Sequence, residues 1–81
     1  MVQAYVLIMT EVGRSAAVAS DVAGVDGVDW AEGVSGPYDV IVHARAEDVE
    51  DLRHRVVGAL RGIPGITRTL VCPVVPDPSA H

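Results

Sequence analysis

The chain has no phenylalanine, no lysine and a single cysteine, and aromatic residues make up only 4% of it. Each shortage excludes something. All six basic residues are arginines, scattered from Arg14 to Arg68, against 11 Asp and Glu, so the formal net charge is −5. Phosphate backbones are bound by a basic stripe, so direct nucleic-acid binding is not expected. A lone Cys72 permits no intrachain disulfide and no Cys-x-x-Cys metal or redox motif, which points to a reduced, cytoplasmic setting. The apolar opening, Met1 to Met9, is too short to span a bilayer, lacks a positive flank and runs at once into Glu11. It reads as a buried first strand, and no membrane partner is expected.

What is abundant is small aliphatic mass. Hydrophobic residues form 49% of 81 positions, chiefly Ala and Val. That length makes one domain near the lower limit for a self-sufficient core, with too little interior to hide so much apolar surface. Part of it is therefore expected between subunits. The domain is expected over residues 1–75, followed by a flexible, Pro-rich tail over 76–81.

The chain pivots on Ser35-Gly36-Pro37-Tyr38-Asp39. Gly-Pro is a strong turn signal, and the β-branched run Val40-Ile41-Val42 after it reads as a strand. Before the turn, Val28, Trp30 and Val34 alternate with polar residues in a second strand, interrupted by glycines that suggest a bulge or strong twist. Arg14 to Ala23 reads as a helix with a narrow stripe of Ala16, Val18, Ala19 and Val22, closed by Gly24. Glu47 to Leu60 is the clearest helix: acidic residues crowd its first turns, arginines follow, and Val49, Leu52, Val56 and Leu60 form one face widened by Val57. Gly62-Ile63-Pro64-Gly65 stops it, and a last strand begins at Ile66. The order is strand, helix, strand, strand, helix, strand. Right-handed crossovers then give an α+β, ferredoxin-like βαββαβ sandwich, a four-stranded antiparallel sheet with two helices on one face.

The first strand is apolar on both sides, unlike a half-solvated strand. If the more uniformly apolar sets face the helices, the open face carries Tyr5, Leu7, Met9, Ile41, His43, Thr69 and Val71. Such a face is a subunit interface or a ligand platform, and an interface is the preferred reading. His43 then reads as an interface histidine, because no Cys or His partner has metal-ligand spacing. The Glu47–Asp51 acid run reads as a solvated helix start. Trp30 is a packing anchor, and Cys72 is inert. No metal, cofactor or catalytic residue is expected.

Several of these residues together resemble a known family. Gly36-x-Tyr38-Asp39 leading into Val40-Ile41-Val42-His43-Ala44, the opening Ala4-Tyr5-Val6-Leu7-Ile8, and Leu60-x-x-Ile63-Pro64-Gly65-Ile66 with Thr67-x-Thr69-Leu70-Val71 resemble the Lrp/AsnC ligand-binding domain. This is also called the RAM domain, the effector half of feast/famine regulators. Pro37 and Pro73 depart from its pattern. Members usually carry an N-terminal helix-turn-helix, for which this chain has no room, so it resembles the stand-alone form. The resemblance implies sheet-to-sheet homodimers that assemble into higher oligomers. It also implies a small effector, an amino acid, bound between dimers, and a full-length regulator of the same family as a partner. The site it implies is Gly36, Pro37, Tyr38 and Asp39, with Thr69, Leu70 and Val71. The chemistry is reasonable, since an amino acid offers an ammonium to Asp39 and a carboxylate to backbone N–H groups or hydroxyls. Asp39 also has a structural reading, as an acceptor for nearby backbone.

The alternative class is an enzyme, a cofactorless dimeric α/β-barrel-type monooxygenase or isomerase using Tyr5, Trp30, Tyr38 and His43. No nucleophile–base pair and no paired carboxylates support it. A third class is an oligomerisation partner that modulates a full-length regulator without a ligand of its own, and an ACT-type amino-acid sensor, with the same element order, is a fourth.

Overall fold

The computed structural model describes residues 1–75. The tail expected at 76–81 lies outside the described residues. Strand β1 (Val2–Thr10) leads to helix α1 (Ser15–Ala23), strands β2 (Val28–Gly33) and β3 (Val40–Ala46), a second helix, and β4 (Ile66–Pro73). The second helix, α2, is built of three contiguous pieces: an α-helical Val49–Asp51, a π-helical Leu52–Val57 and an α-helical Gly58–Leu60. The sheet order is β2-β3-β1-β4, with every neighbouring pair antiparallel. This is the ferredoxin-like α+β sandwich.

Both helices pack on one face. Val6, Ile8, Val40 and Val42 from the central strands bury against Val18 and Val22 of α1 and Leu60 of α2. Ala4, Ala44 and Ala46 meet Leu52 and Val56 beside them. The whole core is aliphatic, so close approach of the thin helices replaces the aromatic bulk this chain lacks. The α1 stripe is narrower than expected: Val18 and Val22 are buried, Ala19 is half-buried and Ala16 faces solvent.

Helix α2 begins with reciprocal caps. Asp48 accepts from the Asp51 N–H at 2.7 Å and Asp51 accepts from the Glu47 N–H at 3.0 Å, satisfying amides that the first turn leaves without carbonyl partners. The wide π turn then brings Leu52, Val56 and Val57 all to the buried side, while Val49 stays 45% exposed. Only part of the expected stripe is therefore interior.

Neither helix is ended by a left-handed glycine. Gly24 has φ −85, and the positive values fall later, at Gly27 (φ 96) and Gly65 (φ 94), immediately before β2 and β4. A Cβ on Gly27 would lie 2.8 Å from a Val56 methyl and 3.0 Å from the Arg45 carbonyl oxygen, so conformation and contact both require glycine there.

Each outer strand carries a bulge two residues after that glycine. Val28 pairs with Ala44 but Trp30 with His43, leaving Asp29 as the extra residue. Ile66 pairs with Thr10 but Arg68 with Met9, leaving Thr67 extra, its hydroxyl donating to the Met9 carbonyl at 3.2 Å. An extra residue reverses which face the following side chains occupy. In β4 this overturns the expected parity. Ile66 packs on the core, and beyond the bulge Thr69 and Val71 pair with Ile8 and Val6 on the helix side. Arg68, Leu70 and Cys72 pair with Met9, Leu7 and Tyr5 on the open face.

Candidate functional site

The turn between β2 and β3 is a loop closed by backbone. Val34 N–H donates to the Asp39 carbonyl at 2.8 Å, and Asp39 N–H donates to the Ile8 carbonyl at 2.8 Å. The Asp39 carboxylate reaches the end of β1, where Oδ2 accepts from the Thr10 N–H at 2.8 Å. This bond fastens the turn to the point where β1 leaves the sheet. The structural reading of Asp39 thus holds for one oxygen; among the described residues none donates to Oδ1. Tyr38 is half-buried, whereas Gly36 and Pro37 are exposed, and a Cβ on Gly36 would meet nothing within 4 Å.

The residues predicted on β4 lie across β1 from this turn and do not share one face. Thr69 and Val71 face the helices, where they line a groove of about 440 Å³ between α2 and β4, while Leu70 lies on the open face and is 45% exposed. No groove within one chain joins them to residues 36–39 among those described.

The open face has its own constellation, which sequence reasoning divided into separate residues. His43 Nδ1 lies 2.8 Å from Asp29 Oδ2, and Nε2 lies 3.1 Å from Gln3 Oε1. Arg45 Nε donates to Asp29 Oδ1 at 2.8 Å. Trp30 stacks on the imidazole at 5.8 Å and 16°, and Tyr5 meets it edge-on at 5.2 Å. The β2 bulge makes this possible, since it sets Asp29 beside His43 without displacing Trp30 from the same face. Both ring nitrogens lie within hydrogen-bond distance of side-chain oxygens, which fixes the orientation of the imidazole. Around it, Tyr5 and Trp30 are 43% and 41% exposed, and Leu7 and Ile41 half-exposed. Exposed aromatic and aliphatic side chains around a hydrogen-bonded polar centre give this face a composition like the aromatic-enriched core of an interface.

Fold and surface together define a small α+β domain with one covered and one uncovered sheet face. Its family is shown by the comparison with family models: residues 3–78 match the Lrp/AsnC ligand binding domain, and the chain belongs to that family. Among solved structures it is similar to TTHA0845 from Thermus thermophilus, at 30% identity and a TM-score of 0.86 over 95% of this chain and 96% of that one. PHS023 from Pyrococcus horikoshii is 27% identical, with a TM-score of 0.84 over 100% of this chain and 98% of that one. The transcriptional regulator NMB0573 from Neisseria meningitidis, solved in complex with L-Met, shares the fold at 18% identity with a TM-score of 0.78. There 99% of this chain is covered but only 53% of the regulator. No curated protein matches the chain. The regulatory, ligand-binding character of the family agrees with the expected class.

Proposed function

We propose that the chain is an effector-binding and oligomerisation module linked to transcriptional regulation, acting without direct DNA contact or catalysis in the cytoplasm. Copies pair through their open sheet faces, and a small amino acid binds between pairs at the turn Gly36, Pro37, Tyr38 and Asp39. Thr69, Leu70 and Val71 join it from a neighbouring copy. A full-length regulator of the same family is a second partner.

The observation that carries this reading is the uncovered sheet face. Tyr5, Trp30 and Leu70 are each more than 40% exposed beside Leu7, Met9 and Ile41, in a chain whose central strands are fully buried on the other sheet face. Burying such a face is worth about 25 cal/mol per Å² of apolar surface. At the turn, the uncommitted Asp39 oxygen suits an ammonium, and the space around Gly36 suits close approach by a ligand or second chain. The L-Met bound by the Neisseria regulator supports the ligand class.

Mass measured by light scattering over a dilution series, alone and with each of the twenty amino acids, tests the reading. An assembly larger than a dimer that tightens with one amino acid, and loses that response in Asp39→Ala, is the expected result. A plain dimer indifferent to all of them overturns the effector role.

A further inference from the structure

Helix α2 is flanked by two grooves that treat arginine in opposite ways. On the β2 side, Arg45 and Arg55 line a groove of about 410 Å³, and each lies on a carboxylate: Arg45 on Asp29 at 2.8 Å, Arg55 on Asp26 at 2.9 Å and Asp51 at 3.0 Å. On the β4 side, Arg53 and Arg61 line the groove of about 440 Å³, and among the described residues neither has a carboxylate partner. The chain holds 11 acidic residues against six arginines, yet no Asp or Glu lines this second groove. Its floor is apolar, from Leu52, Val57 and Val71, and Thr69 adds a hydroxyl. Val57 stands between the arginines on the helix ridge and is 8% exposed.

We propose that this groove binds a small branched aliphatic carboxylate that carries no ammonium group, with 2-oxo acids as the ligand class. A guanidinium offers a carboxylate two parallel N–H donors, and its hold strengthens where apolar walls exclude water. The branched tail lies on Leu52, Val57 and Val71, and the Thr69 hydroxyl can donate to the 2-oxo oxygen. An amino acid with the same tail presents an ammonium beside two guanidinium groups, with no carboxylate in the groove to offset the repulsion. The groove therefore selects against the zwitterion. The selection is opposite to that of the turn, where Asp39 offers the negative charge.

The test is a titration of the ¹⁵N-labelled full chain with 4-methyl-2-oxopentanoate and, separately, with L-leucine, followed by amide and arginine Nε–H shifts. Saturable shifts at Val57, Thr69, Val71 and the Arg53 and Arg61 side chains are expected. Affinity for L-leucine, read at Arg53, Val57 and Arg61, which the proposed amino-acid site does not use, should be weaker by about tenfold or more. Arg53→Gln and Arg61→Gln together should weaken the oxo-acid affinity by about tenfold or more, and both side chains are exposed, so the spectrum should otherwise keep its dispersion. Equal affinity for the two ligands overturns the proposal, as do shifts confined to residues 36–39 or undiminished binding in the double variant. Each single variant serves as the second measurement should the pair perturb the fold. Thr69 and Val71 are common to this groove and to the proposed amino-acid site, so failure of the two readings is told apart at Arg53, Val57 and Arg61, which belong to the groove alone, and at residues 36–39, which belong to the turn alone.

Discussion

The two faces of the sheet are made from the same strands and differ in what completes them. On the helix side, Ala4, Val6 and Ile8 of β1 are 0% exposed and the neighbouring strands supply Val40, Val42 and Ala44 at the same level. On the other side, Tyr5, Leu7 and Met9 alternate with them and stay partly exposed beside Trp30, Ile41 and Leu70. Over its central strands the covered face is finished within the chain by aliphatic side chains alone, and at β4 it opens into the groove against α2. The uncovered face holds the tyrosine and the tryptophan of the sheet and a hydrogen-bonded polar centre, groups suited to partial exposure and to partner contact. On the proposed reading, folding and association draw on alternate residues of one strand, and a substitution at neighbouring positions can separate them.

The largest effect belongs to the covered face. Val6→Asp buries a charge with no partner in the centre of the sheet, a cost of several kcal/mol against a total stability of about 5–15 kcal/mol. Loss of the cooperative urea transition by circular dichroism is the expected outcome. One residue away, Tyr5→Glu should leave that transition within about 1 kcal/mol of the unsubstituted chain and abolish association by light scattering. If Tyr5→Glu unfolds the chain, or leaves it fully assembled, the division of labour between the faces is wrong.

A smaller effect is expected at the junction of the faces. Asp39→Ala removes the acceptor for the Thr10 N–H and should cost about 1–3 kcal/mol, read as a shift in urea midpoint at constant slope. Asp39→Asn keeps an acceptor oxygen and should recover most of that stability while still losing amino-acid response, which separates the fastening role from the ligand role.

Much of this was legible from the sequence, and what was not has a local cause. Element order, the helix-facing sets of β1 and β3 and the pairing of Tyr5, Leu7, Ile41 and His43 on one face follow from period-two alternation. The faces of β4 do not, because the bulge at Thr67 inserts a residue that is neither glycine nor proline, and every side chain beyond it changes side. The same device at Asp29 joins Asp29, Trp30 and His43, which alternation keeps apart. A signal was present: Gly24-Val25-x-Gly27-Val28 and Gly62-Ile63-x-Gly65-Ile66 repeat one pattern, with the second glycine at positive φ and the bulge two residues on. Reading the halves as copies would have carried the bulge expected in β2 over to β4. The π turn of α2 has no such marker, since its Leu, Arg, His and Val residues suit an ordinary α-helix equally well. Nor can one chain's sequence bring the turn and β4 together, as they lie on opposite sides of β1.

The smallest effect is electrostatic and sits at the rim of the covered face, where α2 begins. The Arg55 guanidinium donates to both Asp51 oxygens and the Glu47 N–H adds a third bond, which together lower the Asp51 pKa to about 2. A carboxyl whose folded pKa lies below its unfolded value, about 4, adds stability that is fully present above the unfolded value. That contribution must therefore decline as pH falls from about 4 towards 2. Asp51→Asn removes the titrating group while keeping a side-chain acceptor for Glu47, so its urea midpoint should fall less steeply than the parent's through this interval and run parallel to it above. The pair is at the surface and screened, so added salt should shrink the difference between the two curves. Curves that stay parallel down to pH 2 would mean that Arg55 answers to Asp26 alone, and that the start of α2 is held by its backbone caps without the ion pair.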